Sequence, residues 1–397
     1  MIAATRPVQR PTHARLLVVD ARGRIAHHPR SRFVDLLHSG DLVVANDAAT
    51  LPASLHGVHQ PSGLAIEVRL AGRASLAPDD VREFTAVVFG AGDFRTRTED
   101  RLLPPPLAVG DRLVLGPLIA TIERLLDHPR LVSLRFDGAS GAIWSGLARH
   151  GRPIQYAHMT VPLALWDVWT PVAGVPAAFE PPSAGFVLDW GSIRAMRDRG
   201  IGFVTLTHAA GISSTGDAAL DRRLPFDEPY RIPHATAAAI HRTNAAGGRI
   251  VAVGTTVVRA LEDAAVHDGI VRAGNGVATR RIGPATRLRV VDAILSGTHE
   301  PGSSHYDLLR AFANDRALRR ASSALETGGY LTHEFGDSIF IEKRAHRRTR
   351  VPMAPPTVRL KPDTTSMRPD RYTIDRKWCP ALAGPDNLSL WGAPHRT

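Results

Sequence analysis

The chain has 397 residues, of which 44% are hydrophobic and 22% charged, and its formal net charge is +11. These values are typical of a soluble globular protein with one large core or two domains. The sequence predicts neither a membrane-spanning helix nor secretion, because no apolar run reaches about 18 residues and the first residues lack a signal pattern. The lone cysteine, Cys379, excludes an internal disulfide and favours a reducing, cytoplasmic location.

The positive charge is concentrated at the end of the chain. Residues 343–397 contain 12 Lys or Arg against 4 Asp or Glu, which leaves 37 basic and 34 acidic residues before them, a net of only +3. The same segment holds 8 prolines and shows no periodicity, so we expect a basic, Pro-rich disordered tail. Such a tail can add nonspecific affinity for RNA, or it can be an incidental extension.

The first elements predict an α/β unit followed by an insertion. Strands are expected over 15–19 and 42–45, with a helix over 31–38 between them. Short β-type runs punctuated by Gly, Pro and Asp then recur up to residue 137, as in a small barrel or sandwich. They are expected over 64–70, 84–89, 111–115, 118–123 and 131–136.

The α/β pattern returns only from about Asp189. Residues 141–186, rich in Pro and Trp, are expected to be irregular and functional. Helices over 189–199, from Pro233 to Gly247, and over 305–325 alternate with strands over 202–207, 287–295 and 335–341. The predicted fold class is α/β, a mixed sheet with flanking helices and an inserted all-β, barrel-like domain. The predicted domains are 1–50 with 139–342, the insertion 51–138, and the tail 343–397.

Residues 249–262 (RIVAVGTTVVRALE) carry the most informative pattern. Four apolar residues predict a buried strand over 250–253, Gly254 ends it, and a helix is expected from Val257. Thr255 and Thr256 are therefore expected at the carboxyl end of a strand, where ligands bind in α/β sheets. Their hydroxyls and the free N–H groups of a helix start can hold a carboxylate or a sugar oxygen. An ordinary strand–turn–helix with a Thr cap explains the same pattern.

Six segments, in chain order, resemble markers of the S-adenosylmethionine:tRNA ribosyltransferase-isomerase family of queuosine biosynthesis. The junction at Gly254 resembles the family's G-T-T-x-V-R signature. The other five are Gly40-Asp-Leu-Val-Val-Ala-Asn46, Pro182-Ser-Ala-Gly185, Phe203-Val-Thr-Leu-Thr-His208, Val290-Val-Asp-Ala293 and Phe335-Gly-Asp-Ser-Ile-Phe-Ile341. The resemblance extends from about residue 15 to residue 342 and predicts common ancestry.

The resemblance implies an unusual reaction, in which S-adenosylmethionine donates its ribosyl group. Adenine and methionine leave, and the rearranged ribose joins the aminomethyl group of a 7-deazaguanine base in a tRNA anticodon. Such a site must hold the amino-acid end of the donor, move protons at the ribose and at the departing adenine, and oppose a cationic centre. S-adenosylmethionine is thus expected as a co-substrate and tRNA as a partner, with no metal, no membrane and a monomeric state.

The resemblance also implies which residues bind the donor. Thr255, Thr256 and Arg259 are expected to hold its amino-acid end, with the guanidinium gripping a carboxylate through two parallel hydrogen bonds. In the alternative, Arg259 pairs with Glu262 or Asp263, both within helical reach. Donor binding would then survive Arg259→Ala, which otherwise weakens it by about 1.5–3 kcal/mol.

Further substrate-binding candidates match family loop positions: Ser183, Gly185 and Asn46. A glycine lets a flat base approach the backbone closely. Aromatic residues near this segment could stack on a base, although core packing explains them equally well.

Three residues are the catalytic candidates. Asp292 follows two strand valines, where an unpartnered carboxylate is costly to bury. It is expected either to face the donor's cation or act as a base, or else to hold Arg259 or a backbone N–H group. His208 ends one predicted strand and His299 follows another, and histidine titrates near neutrality, which suits acid–base chemistry. Because the chain has 18 histidines, a surface or structural role is the more common one for any of them. A metal at His27-His28 or at His56 and His59 is not predicted, since residues 1–342 contain no Cys and no H-E-x-x-H motif.

The polar loops depart from the family pattern. Gly185 is followed by Phe-Val-Leu where the family has L-H-F, and the early N-N-T-R run is Asn46-Asp-Ala-Ala49. The G-A-G-T-F run is Ala209-Ala-Gly-Ile-Ser213, and Gly297–Ser303 keeps only a His, a Pro and a Ser of another run. Two further hypotheses follow: a divergent relative that uses the same donor pocket on another substrate, and a catalytically inactive RNA- or nucleotide-binding protein. A doubly wound oxidoreductase is disfavoured because no G-x-G-x-x-G follows a predicted strand.

Overall fold

The computed structural model describes residues 2–344, so the predicted disorder of the tail falls almost wholly outside the described residues. The strands are β1 (Ile2–Ala3), β2 (Arg15–Val19), β3 (Ile25–Pro29), β4 (Leu42–Asn46), β5 (Ala48–Thr50), β6 (Ser54–His59), β7 (Leu64–Gly72), β8 (Glu83–Phe89), β9 (Arg112–Leu115), β10 (Leu118–Leu125), β11 (Leu131–Phe136), β12 (Val175–Ala178), β13 (Gly202–His208), β14 (Glu228–Ile232), β15 (Ile250–Val253), β16 (Gly274–Ala278), β17 (Ala293–Gly297), β18 (Leu331–Thr332) and β19 (Ser338–Glu342). The helices are α1 (Ser140–His150), α2 (Leu165–Val168), α3 (Trp190–Asp198), α4 (Ala218–Asp221), α5 (His234–Ala246), α6 (Thr255–Ala264), α7 (Ser304–Leu309) and α8 (Asp315–Thr327), with 3-10 turns over Arg30–Leu36, Thr98–Asp100 and Ser183–Val187.

A nine-stranded mixed sheet forms the larger layer, in the order β16-β14-β13-β4-β15-β17-β19-β2-β3. Its four central strands, β13, β4, β15 and β17, run parallel, so their carboxyl ends meet at one edge. All four residues of β15 are buried because apolar side chains cover both faces of the sheet. Helices α5, α6 and α8 contribute to the core on one face, and α3 contributes to the core on the other.

The insertion is a closed antiparallel barrel of six strands, β10-β11-β8-β7-β6-β9, formed by residues 54–136. Inward residues such as Leu113, Leu115 and Ala120 are fully buried and alternate with more exposed neighbours. The predicted fold class, a mixed sheet with helices and an inserted all-β barrel, is confirmed. Where one domain ends and the next begins stays a prediction.

Several element predictions are wrong in instructive ways. Residues 141–150, expected to be irregular, lie in α1, whose buried residues Ile143 and Leu147 pack on the barrel core. The helix expected over 31–38 is a 3-10 turn. The helix expected over 305–325 is two helices, since the Asn314 side chain caps a new one by accepting from the N–H of Ala317 (2.8 Å).

Two boundary errors bear on the site. Helix α6 begins at Thr255 rather than Val257, so both threonines lie in its first turn. The strand expected over 287–295 begins only at Ala293, which places Asp292 before the strand instead of inside it. Within residues 2–344, none of the helices combines the length and apolarity needed to span a bilayer.

Candidate functional site

A cavity of about 260 Å³ lies at the carboxyl ends of the central strands. Strand β15 leads into its wall through Gly254, Thr255 and Thr256, and β17 leads into it through Gly297. The segment after β12 supplies a third wall, residues 180–184. The cavity therefore occupies the place where parallel α/β sheets bind ligands.

Helix α6 presents its amino terminus to this cavity. Gly254 has φ +95°, a left-handed backbone that a side chain would strain, and no side chain caps the helix. The first N–H groups of any α-helix lack intrahelical partners, and here no side-chain cap takes their place. The start of α6 can therefore bind an anionic group. Asn46 Nδ2 donates to Thr256 Oγ1 at 3.3 Å, which leaves the threonine hydroxyl proton available to a ligand.

Asn46 is buried beneath the cavity and does not line it. Its Nδ2 donates to the carbonyl of His208 (2.9 Å), and its Oδ1 accepts from the N–H groups of His208 and Ala48 (3.0 Å each). It thus ties the ends of β4 and β13 to Thr256. The structure gives Asn46 a positioning role rather than the direct substrate contact expected from the sequence.

Arg259 lines the cavity, but both terminal nitrogens of its guanidinium already have partners, and Nε is the nitrogen without one among the described residues. Nη1 donates to Glu228 Oε2, and Nη2 donates to the carbonyls of Phe226 (3.2 Å) and Ala278 (2.8 Å). Neither Glu262 nor Asp263 is its partner, contrary to the alternative considered above. Burial lowers the pKa of Arg259 to about 10, so the group stays charged at neutral pH. Its primary role is to neutralise the buried Glu228, because no pair of guanidinium N–H groups remains for a donor carboxylate.

His208 is fully buried next to the same carboxylate, with Nε2 at 3.5 Å from Glu228 Oε2. Neither ring nitrogen has a hydrogen-bond partner among the described residues. Burial, followed by the charge of Arg259, lowers the pKa of His208 well below its usual value. The ring is therefore neutral at pH 7, and it lies behind the cavity wall rather than in it.

Glu180 is a cavity residue that the sequence reasoning missed. Its Oε1 accepts from the N–H of Ser213 (3.0 Å) and lies within hydrogen-bonding distance of the Tyr156 hydroxyl. That hydroxyl is also 3.1 Å from the carbonyl of Ser214. Burial raises the pKa of Glu180 to about 7, against the lowering effect of its hydrogen bonds with Ser213 and Tyr156. A sequence signal existed: Glu180 is the lone acid in the apolar run 175–188.

His299 and His305 form a stacked pair on the wall opposite, with ring centroids 4.7 Å apart. His299 Nε2 lies 3.0 Å from Ser296 Oγ. Burial, then the charges of His305 and His333, lowers the pKa of His299 well below its usual value. Burial also lowers the pKa of His305, so both rings are neutral at pH 7 and each has a ring nitrogen that can accept a hydrogen bond. Of the three catalytic candidates, His299 is the one that the structure brings to the cavity.

Two of the predicted site residues lie elsewhere, while Ser183 lines the cavity as expected. Gly185 is buried behind the wall, where a Cβ would come within 2.9 Å of Thr170 Cγ2, so its small size serves packing. Asp292 lies at the amino end of the sheet and accepts from the N–H of Ile250 (3.1 Å). Of the roles considered for Asp292, holding a backbone N–H group is the one that the geometry supports; it is one strand length from the cavity.

Within residues 2–344, a group of three side chains could offer ligand atoms to a metal, since His158, His333 and Glu334 have such atoms within 4.8 Å of one another. His158 Nε2 lies 3.1 Å from Glu334 Oε2, and the two imidazoles stack at 4.2 Å. A hydrogen bond between His158 and Glu334, with a stacked histidine beside it, explains this arrangement. Two of the four histidines considered as metal ligands from the sequence have other partners: His27 contacts the Tyr330 hydroxyl, and His59 contacts Ser62 and Asp111.

Comparisons with known proteins converge on one family. A family model described as queuosine biosynthesis protein matches residues 1–341. An S-adenosylmethionine:tRNA ribosyltransferase-isomerase of Sorangium cellulosum is 33% identical over 86% of this chain and 95% of its own length. A protein of the same name from Gloeobacter violaceus is 32% identical over 85% and 92%. A crystal structure of S-adenosylmethionine tRNA ribosyltransferase from Thermotoga maritima, 23% identical, covers 86% of this chain and 96% of its own with a TM-score of 0.46. That overlap is too loose to support an argument about the site.

Proposed function

This chain belongs to the queuosine biosynthesis protein family, and from that premise we propose that it is an S-adenosylmethionine:tRNA ribosyltransferase-isomerase. The observation that carries the proposal is the cavity at the carboxyl edge of the sheet, which joins an uncapped helix start to a buried carboxyl group of raised pKa. The first feature suits an anionic group on the donor. The second suits proton transfer at neutral pH.

The donor's methionine carboxylate is proposed to bind at the start of α6. Thr255 and Thr256 each offer a hydroxyl and an N–H group there, and the helix dipole favours negative charge at this end. Arg259 contributes at a distance: it neutralises Glu228, whose uncompensated charge would otherwise lie under the carboxylate. This assignment replaces the direct guanidinium grip expected from the sequence.

Glu180 is proposed as the acid–base group. With a pKa of about 7, it is present in both protonation states at neutral pH, so it can accept a proton at the ribose or deliver one to departing adenine. Tyr156 supports the exchange. When Glu180 is protonated it can donate to the tyrosine oxygen, while the tyrosine proton turns to the carbonyl of Ser214. When Glu180 is ionised, the tyrosine donates to it instead.

The altered loop 209–213 is compatible with this activity. Each cavity carboxylate accepts from the backbone of this loop: Gly211 N–H donates to Glu228 (2.6 Å), and Ser213 N–H donates to Glu180 (3.0 Å), beside a further hydrogen bond from the Ser213 side chain. Backbone donors do not depend on side-chain identity. The loop can therefore differ from the family's run in side chains and still hold both carboxylates in place.

The test is adenine release. Purified protein is incubated with S-adenosylmethionine and a tRNA that carries the 7-aminomethyl-7-deazaguanine base, and free adenine is measured by chromatography. Release that requires both substrates supports the proposal. Donor binding with no release on any tRNA would overturn it in favour of a relative with another acceptor, and tRNA binding without donor binding would indicate an inactive RNA-binding protein.

Three further expectations belong to this proposal. The protein acts as a monomer, which light scattering on the purified chain checks. It works without a metal, which adenine release after exhaustive chelation checks. It acts in the cytoplasm, where its tRNA substrate is modified.

A further inference from the structure

The loop between β16 and β17 carries a dense group of basic side chains. Four exposed arginines lie on it within a span of ten residues: Arg280, Arg281, Arg287 and Arg289. In the part of the chain that the structure describes, no carboxylate lies within 4.0 Å of any of these guanidinium groups. The body of the chain has almost no net charge, so four unpaired arginines in one place form a local basic surface that composition alone could not reveal.

These arginines line a second cleft, of about 330 Å³, that shares a wall with the donor cavity. Arg259, Arg281 and Ile282 line both spaces. The two carboxylates in the cleft are engaged elsewhere. Asp263 accepts from the Tyr230 hydroxyl (3.0 Å), and Glu262 accepts from backbone N–H groups.

The loop is held in place rather than free. Glu262, on α6, accepts from the N–H groups of Arg289 (2.7 Å), Val290 (3.0 Å) and Val291 (2.9 Å), which pins the loop to the helix whose start forms the donor site. A turn closes its other half, where Thr286 N–H donates to the carbonyl of Gly283 (2.9 Å). The basic side chains are thus presented on a backbone of fixed position relative to the donor cavity.

We propose that this basic cleft binds the phosphate backbone of the tRNA next to the modified base. The inference rests on the proposed function and deepens it. Guanidinium groups match phosphate oxygens with paired N–H donors, and unpaired ones give up no ion pair to do so. Because Arg281 lines both spaces, a nucleotide whose phosphates lie in the cleft has its base within reach of the donor cavity. The cleft fixes the position of the tRNA chain, and the reaction takes place in the cavity.

The test compares two triple variants with the same charge change. R280Q/R287Q/R289Q removes three loop arginines and spares Arg281, which lines the donor cavity. R316Q/R319Q/R320Q removes three exposed arginines on α8, which line neither the donor cavity nor the basic cleft. All proteins keep the full chain, so the basic tail contributes equally. Binding of the precursor tRNA is measured from 50 to 200 mM salt, and donor affinity by calorimetry reports that each variant is folded.

The loop variant is expected to lower the magnitude of the slope of log K against log salt by roughly 2 to 3, at about 0.7–0.9 for each phosphate that the protein no longer neutralises. The α8 variant should leave the slope within about 0.5 of the unaltered chain. Equal slopes in all three proteins would overturn the inference even if adenine is released. A loop-dependent slope without adenine release would support the inference and overturn the proposed activity. An unaltered chain that binds no tRNA would overturn both.

Discussion

Two buried carboxyl groups at opposite edges of the central sheet, Asp41 and Glu180, differ in their surroundings. At the amino edge, Arg249 donates to Asp41 (2.6 Å) and to Glu342 (2.6 Å), so each charge has its partner. At the carboxyl edge, Glu180 is buried with only neutral hydrogen-bond donors, and its pKa rises to about 7. Charges that satisfy one another hold strands together, while a carboxyl group left without a counter-ion keeps a proton to exchange. This difference locates the chemistry at the carboxyl edge.

The largest effect that tests this comparison is expected from Glu180→Gln. The amide keeps the shape and the hydrogen-bond acceptor but cannot exchange a proton, so kcat for adenine release should fall about 10²–10⁴-fold. Any pH dependence of kcat with an apparent pKa near 7 should vanish with it. Asp292→Asn is the matched change at the amino edge, and it should leave kcat within about 3-fold because Asn retains an oxygen for the N–H of Ile250. Equal losses in the two variants would erase the distinction between the edges.

The next effect concerns stability. Arg259→Ala strands the buried Glu228 without its cation, which should lower the free energy of unfolding by about 3–5 kcal/mol. Arg249→Ala removes a guanidinium that is 23% exposed, so water can replace part of what is lost. We expect a smaller cost there, about 1–3 kcal/mol. Urea unfolding monitored by tryptophan fluorescence measures both, and a larger loss for Arg249 would contradict the expected order.

The edges should also differ in the sign of their pH dependence. Glu180 has its pKa raised from 4.5 to about 7 in the folded state, so its contribution to stability is complete below pH 4.5 and is lost as the pH rises through 7. The loss is about 3 kcal/mol at most. Burial opposes ionisation of Asp41, but its hydrogen bonds with Arg249 lower its pKa, so its contribution is lost as the pH falls through the lowered value.

The measurement is the free energy of unfolding at pH 5 and at pH 8 for the unaltered chain and for Glu180→Gln. Taking the difference between the two proteins cancels every other titrating group. The unaltered chain should lose about 2–3 kcal/mol more than the variant between these pH values. An identical loss would mean that the carboxyl group has an ordinary pKa.

The sequence was sufficient to predict the layers of the fold and the junction at Thr255, because apolar periodicity and a glycine break are local signals. It was insufficient to predict which charged residues pair around the junction. Glu228 and Arg259 are 31 residues apart and meet only because α6 packs against β16, the strand that pairs with β14. The position of Asp292 was also predicted wrongly. The apolar residues beside it suggested a strand over 287–295, but the strand begins at Ala293, so the carboxylate lies before the strand and not inside it.

The smallest expected effect tests whether the carboxyl edge binds the donor. The double variant T255V/T256V keeps side-chain size and removes both hydroxyls, so affinity for S-adenosylmethionine should fall by about 1.5–3 kcal/mol, or roughly 10- to 150-fold. Asn46 still donates to the carbonyl of His208, so the change should cost little stability. The same substitution at Thr243, a half-buried helix residue outside the cavity, should leave the affinity unchanged. If calorimetry gives one affinity for all three proteins, the two hydroxyls do not hold the donor, and the backbone N–H groups of α6 or another wall of the cavity must do so.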